Sequence, residues 1–283
     1  MAEEKEKDIE EQKNQEDKDS ESEETPLETE EAVVGEMPKE PEDLLKEIPI
    51  KKELEGWNPK TEVGKQILRG EIKDIEQIID KGRIILESEI VDALIPELES
   101  ELLLLGQSKG KFGGGQRRVF KQTQKKTQEG NKPKFSTMAV VGNKNGIVGL
   151  GSGKAKETVP AREKAFRNAK LNMIKIRRGC GSWQCNCKTP HSIPFSVKAK
   201  VGSVVVELIP APKGKGLCIQ NECKKMLDMA GIKDVWSKTK GKTSSRGNLI
   251  IACYEALKKL ADIKIHEDHK EKFGIEEGAI KNE

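Results

Sequence analysis

Cys180, Cys185, Cys187 and His191 lie within twelve residues of one another and form the sharpest chemical cluster in the chain. Three thiolates and one imidazole are a complete tetrahedral donor set, of the Cys3His kind that holds structural zinc. Against that, the spacing C-x4-C-x-C-x3-H is not the common two-residue knuckle, and small cysteines often serve packing alone. Structural zinc and plain packing therefore both stand as readings of these four residues. Cys218 and Cys223, on an expected loop and helix, read as core. Catalysis is poorly provided for: the histidines are His191, His266 and His269, the last two in a charged tail. No Ser/His/Asp set can be assembled, and the paired motifs of a zinc deaminase are missing. The chain reads as a non-enzyme.

The second chemical signal is charge. Between Gln107 and Lys134 stand nine cations (Lys109, Lys111, Arg117, Arg118, Lys121, Lys125, Lys126, Lys132 and Lys134) against one acid, Glu129. Nine like charges repel, so a compact loop of this kind needs phosphates between them. A loop embedded in RNA is the preferred reading over a merely solvated one. Lys213-Gly214-Lys215-Gly216, just before an expected helix, is a candidate anion seat through Lys213 and Lys215, because helix N-termini expose free N–H groups. The run Gly149-Leu150-Gly151-Ser152-Gly153-Lys154 fits neither nucleotide fingerprint: Ala155 stands where a P-loop needs Ser or Thr, and Lys154 where the dinucleotide motif needs glycine. These glycines are expected to open the chain for tight turning and close approach to RNA.

The elements that must position these groups follow from the apolar pattern. Phe135–Val141 and Ile147–Leu150, joined by Gly142-Asn143-Lys144-Asn145-Gly146, predict a β-hairpin. A helix follows from Pro160 towards Ile174. Val159, Ala165, Phe166, Ala169 and Met173 lie on its inner face, and Arg162, Lys164, Arg167 and Lys170 bring charge. Aliphatics at Ile72, Ile75, Ile78, Ile79, Ile90, Val91 and Leu94 predict short helices split at Gly82, and Leu102–Leu105 a buried strand. Beyond the cysteines, Phe195–Lys200 and Ser203–Ile209 read as strands and Ile219–Ala230 as a helix. Val235 and Trp236 mark a short strand, and Gly247–Leu260 a last amphipathic helix.

Of 283 residues, 1–50 carry 20 acidic and 6 basic side chains, whereas the rest holds 28 acidic and 45 basic. The basic body points to a polyanion, most often nucleic acid. The acidic tail 1–50 has no aromatic residue and is expected to be disordered; it would shield the body from wrong RNAs. No run of 18 apolar residues exists, so no membrane contact is expected, and six cysteines without a secretory signal suggest free thiols or metal in the cytoplasm. The expected fold is α+β, with a disordered acidic N-terminal tail. After it come a helical segment at 51–97 and a sheet-and-helix domain at 98–178 carrying the basic loop 107–134. A cysteine linker at 179–192, a small β-β-α-β-α domain at 193–265 and a loose charged tail at 266–283 complete the chain.

Several ordered motifs resemble small-subunit ribosomal protein five, of the archaeal type. They are Gly142-Asn143-Lys144-Asn145-Gly146-Ile147-Val148-Gly149-Leu150-Gly151, Ala169–Ile174, Pro190-His191-Ser192-Ile193-Pro194-Phe195, Gly202-Ser203-Val204 and Ile209–Gly214. Trp57–Thr61 and Glu87–Asp92 are similar to the archaeal and eukaryotic branch, and the likeness runs from about Trp57 to Leu260. It implies a double-stranded-RNA-binding-like first domain, then an α/β domain with a left-handed crossover. It also implies a structural role in the small ribosomal subunit, with a contribution to translational accuracy and no catalysis. The partners so implied are small-subunit ribosomal RNA and small-subunit proteins four and eight, near where messenger RNA enters. RNA contact is carried over to Lys144, Asn145, Lys154, Lys156, Arg177 and Arg178. A free RNA-binding chaperone or assembly factor acting in trans is the alternative. The long basic loop and the acidic tail depart from the family's common pattern.

Overall fold

The computed structural model describes residues 57–107 and 117–279. The tail 1–50, with Lys109 and Lys111, lies outside them. The chain starts with three short helices, α1 (Glu62–Leu68), α2 (Ile75–Asp80) and α3 (Glu89–Leu94). Their isoleucines, among them Ile67, Ile75, Ile78 and Ile90, form a small core of their own. Glu87 ties its start together, accepting from Trp57 Nε1 at 3.0 Å and from the Lys60 and Thr61 amides at 2.9 and 2.8 Å.

The first sheet contains β1 (Glu99–Leu102), β2 (Lys121–Thr127), β3 (Gly130–Gly142), β4 (Ile147–Ala155) and β5 (Met173–Lys175). β3 is long enough that one edge serves two neighbours in succession, β2 beside 130–136 and β1 beside 139–142, while β4 lines the other. The hairpin expected around Gly142–Gly146 is present, with Gly142 paired to Val148. Two expectations are corrected. Only Leu102 of the leucine run is in a strand; Leu103 is fully buried and extends the ladder once, its N–H donating to Met138 O, before the chain turns away. The basic stretch expected as a loop is in large part a β-ribbon, registered from Lys121↔Ser136 to Thr127↔Gly130. Its alternating Thr, Gln and Lys suit an extended chain, and Gly130 at φ +111° closes the turn.

The glycine run does not open out; it is the body of β4. Gly149, Gly151 and Gly153 share one face, against which lies α4 (Thr158–Leu171). The buried residues of α4 are Ala161, Ala165 and Ala169, all fully inaccessible. A Cβ on Gly153 would meet Ala165 N at 2.6 Å, and one on Gly151 would meet the Asn168 carbonyl carbon at 2.6 Å. The glycines thus admit helix backbone, not RNA. This also corrects the expected helix face. Val159 is 54% exposed, Phe166 is half-buried, and the helix ends at Leu171, so Met173 belongs to β5, paired with Gly149. Bulkier side chains cannot enter where two main chains nearly touch.

The opposite face of the sheet, with Met138, Val140, Val148 and Leu150, joins one continuous core with the second half of the chain. That half comprises β7 (Val197–Val201), β8 (Val204–Pro210), β9 (Leu217–Cys218), α5 (Asn221–Met229), β10 (Val235–Lys240) and α6 (Arg246–Asp262). Its strands lie in the order β7-β8-β10-β9, with β9 and β10 parallel across α5. The β-β-α-β-α reading holds, with β9 added. Cys223 and Cys253 are buried in this core, whereas Cys218, expected there, is exposed because β9 is an edge strand.

Over residues 266–279 the tail is not loose. It forms α7 (Glu267–Phe273) and β11 (Glu276–Glu277), which pairs antiparallel with β6 (Arg177–Arg178). Gly274, at φ +55°, lets the chain reverse against Lys188. Beyond it Gly278 N–H donates to Ile176 O, and Ala279 N–H to Glu76. Among the described residues no helix is long and apolar enough to cross a membrane.

The Gly–Ala contact is testable in the purified chain. Gly151→Val should destabilise by about 2 kcal/mol or more through overpacking, whereas Ser152→Ala, at an exposed position of the same strand, should leave the melting temperature unchanged; thermal denaturation reads both.

Candidate nucleic-acid interface and metal centre

Register decides which cations share a face. Residues directly opposite in a ladder point the same way. In the ribbon Lys125 faces Lys132, Thr123 faces Lys134 and Lys121 faces Ser136, and on β4 Lys154 faces Ser136 in turn. Lys121, Lys125, Lys132, Lys134 and Lys154 therefore occupy one face, all exposed, while Lys126 points to the other. On this ribbon Lys132 pairs with Glu129 at 2.6 Å, at the turn. Two lysines directly opposed, Lys125 and Lys132, destabilise an isolated ribbon, and phosphate oxygens would relieve that repulsion. Arg117 is half-buried and Arg118 exposed where the ribbon begins; Lys156 is exposed after β4. On the other side of the sheet, Arg162, Lys164 and Arg167 are exposed on α4, whereas Lys170 is held by Asp92 at 2.7 Å.

The remaining carried-over residues are engaged inside the protein. Arg178 is only 4% exposed; its Nη2 donates to Asn145 Oδ1 at 2.7 Å and to Gly278 O at 3.0 Å. Burial pushes its pKa down despite Glu276 nearby. Arg177 pairs through Nε with Glu277 at 2.8 Å and donates to the Leu260 and Ile263 carbonyls. Asn145 thus spends its carbonyl on Arg178. Lys144, in the left-handed region at φ 55°, is exposed and paired with Glu99. The hairpin tip is itself docked, the Lys144 and Gly146 amides donating to Met229 O and Ala230 O. Its sequence resembles a free finger because nothing local marks the helix end that receives it.

Lys213 and Lys215 are exposed on a turn, but the expected helix N-terminus is not beside them. The chain forms β9 first, α5 starts at Asn221, and Gln220 caps it by accepting from Cys223 N–H. The Gly216 amide goes instead to Asp234 Oδ1 at 2.7 Å.

Asp234 also orders the cysteine cluster. The donor atoms of Cys180, Cys185, Cys187 and His191 all lie within 4.8 Å of one another, close to the edges of about 3.3–3.8 Å of a zinc-centred tetrahedron. The loop's ends are pinned by the Gly179↔Ser192 bridge, and Cys180 N–H donates to Phe273 O at 2.8 Å. His191 is 6% exposed, with Nδ1 at 2.9 Å from Asp234 Oδ2 and Nε2 at 3.9 Å from Cys185 Sγ. A carboxylate on Nδ1 fixes the tautomer that leaves the Nε2 lone pair towards the thiols, the arrangement of histidine ligands in zinc proteins. Burial alone would push the Cys187 thiol up. The Thr189 hydroxyl and backbone N–H, followed by the Cys185 and Cys180 thiols, hydrogen-bond it and bring it down to about 6. Burial and its contact with Cys187 push Cys180 up to about 11. The cluster has the chemistry to hold a metal ion. Asp234, 43 residues from His191, was invisible to spacing arguments.

Residues 116–177 match the family described as ribosomal protein S5, N-terminal domain, and residues 199–272 its C-terminal domain. Over 229 residues the chain is 45% identical to the small ribosomal subunit protein uS5 of Nanoarchaeum equitans, which covers 81% of this chain and 98% of that protein. The chain belongs to the ribosomal protein S5 family. The uS5 of Methanocaldococcus jannaschii is 46% identical over 227 residues, covering 80% of this chain and 98% of its own length. As an S5 protein the chain is a structural constituent of the ribosome and not an enzyme, and its partners are ribosomal RNA and ribosomal proteins. The Cys/His loop falls between the two matched stretches.

Arg178 is the residue whose role shifts most. Arg178→Ala should cost about 2 kcal/mol or more in chemical denaturation, because the buried hydrogen bonds to Asn145 Oδ1 and Gly278 O are lost, while Lys154→Ala should cost almost nothing there.

Proposed function

We propose that this S5 protein lays its lysine-bearing ribbon face on the phosphates of small-subunit ribosomal RNA, anchored by a zinc-stapled core. The observation that carries the reading is the register that gathers Lys121, Lys125, Lys132, Lys134 and Lys154 on one exposed face. Arg118 and Lys156 extend that surface, Lys213 and Lys215 form a second exposed basic turn, and Arg177, Arg178 and Asn145 hold the fold behind it. The resemblance supports small-subunit proteins four and eight as neighbours, close to where messenger RNA enters. The same resemblance supports a contribution to translational accuracy.

Zinc in the Cys180–Cys185–Cys187–His191 site would be a closed structural ion supplying cohesion to a loop with little core of its own. Cys180, Cys185 and Cys187 would give thiolates and His191 its Nε2, with Asp234 orienting the ring.

Four measurements test this. The full chain should bind small-subunit RNA with affinity falling about a thousand-fold between 50 and 200 mM salt if six phosphates are met. The double change Lys125→Gln and Lys132→Gln should lower the log–log salt slope by about 2. Co-sedimentation with the small subunit is expected, and free protein at the top of the gradient would instead indicate action in trans. Metal analysis should find one zinc per chain, and chelation should raise hydrogen exchange in 180–191 and at the Gly216 amide while the β4–α4 region stays protected.

A further inference from the structure

The stretch 83–87, between α2 and α3, leaves two large apolar side chains in solvent. Ile84 is 76% exposed and Leu86 66%, whereas Ile85 between them is 5% exposed and belongs to the isoleucine core. Burial that alternates residue by residue is the pattern of extended chain. A single exposed aliphatic is ordinary, but here two share one face and the main chain beside them is also unmatched. Among the described residues no hydrogen bond reaches the amides or carbonyls of Ile84, Ile85 and Leu86. The stretch has the properties of a strand edge without a neighbour.

Its far end indicates what covers it. Glu87 accepts from Trp57 Nε1 at 3.0 Å and from the Lys60 and Thr61 amides. The start of the described chain is thereby held beside the last residue of the bare stretch. Immediately before Trp57 the sequence reads Lys52-Glu53-Leu54-Glu55-Gly56. Leu54 precedes Trp57 by the same number of residues as Ile84 precedes Glu87, and either span covers roughly 10 Å when extended. A chain running back from Trp57 beside the stretch brings Leu54 to Ile84, and sets Gly56, which has no side chain, against Leu86. The same register sets Glu53 against Arg83. Arg83 is exposed, has the neutral Gln66 as its hydrogen-bond partner at 2.7 Å, and has no carboxylate partner among the described residues. Opposite charges facing each other across strands are favourable. α1 and α2 separate the two segments in sequence, as the crossover of a parallel pair requires.

We infer that residues 52–56 strap themselves along 83–86 as a parallel strand, with Leu54 covering Ile84 and Leu86 and Glu53 answering Arg83. The strap's main chain takes up the open amides and carbonyls, and its leucine closes the small isoleucine core from outside. The occupant is this chain's own segment, and the inference stands apart from the RNA-facing ribbon. Its consequence for the protein is protective: an apolar edge that would otherwise pair with other chains is occupied from within.

The test uses the full chain. Leu54→Ser should speed amide hydrogen exchange at 84–86 by about ten-fold while β4 and α4 stay as protected as before. The control Ile48→Ser, ahead of the strap, should match the unmodified chain. A benzophenone amino acid placed at position 54 should crosslink to 84–86 of the same chain, read by peptide mapping of a species of monomer mass. Exchange at 84–86 that is indifferent to Leu54→Ser would overturn the inference. So would a crosslink from position 54 to a second copy, to another part of the chain or, in assembled small subunits, to a different protein or to RNA.

Discussion

The architecture depends on one contact: the main chain of a strand against the main chain of a helix, with only hydrogens and methyl groups between them. Gly149, Gly151 and Gly153 meet Ala161, Ala165 and Ala169. Because that side of the sheet is closed so tightly, its area is spent on a single thin seam. The larger side chains are left to the other face, where Met138, Val140, Val148 and Leu150 join the core built by α5 and α6. The two family segments are thereby welded through the back of one sheet. The hairpin tip, docked on the end of α5, fixes their relative position a second time.

Periodicity made much of this legible. Ile72 to Leu94 announced short helices, and Leu249, Ile250, Cys253, Ala256, Leu257 and Leu260 line the buried face of the last long helix. The failures share a physical cause: the deciding partner is remote in sequence. Glycines at alternate positions look like a loop unless one knows that a helix covers them. Lysines and glutamines look like a mobile loop until Ser136 and Phe135 supply a strand to pair with. The charged tail looks loose because its partners, Ile176, Arg178 and Glu76, lie far upstream.

Charge was legible in amount but not in direction. Composition alone identified a basic body, and the motifs identified a ribosomal family. Arginines beside a glycine-rich linker carry the same signature whether they face phosphates or carbonyls. Arg177 and Arg178 face carbonyls and a carboxylate, whereas the exposed face of the ribbon is lined by lysines. The division is chemically sensible: the rigid planar guanidinium is suited to several fixed acceptors at once, the flexible ammonium to mobile phosphate oxygens. The cysteine cluster was visible from spacing, but the carboxylate that makes its histidine a competent ligand was not.

The latch made by residues 273–279 has a consequence for biogenesis. These residues supply the partner of β6, an acceptor for Cys180 and a link to Glu76, 203 residues upstream. During vectorial synthesis the groups they meet leave the exit tunnel well before them. Upstream helices, sheets and cysteines can assemble on the emerging chain, but the latch closes only once 273–279 have followed. A product truncated before residue 273 therefore lacks it, which gives quality-control proteases a structural difference to act on.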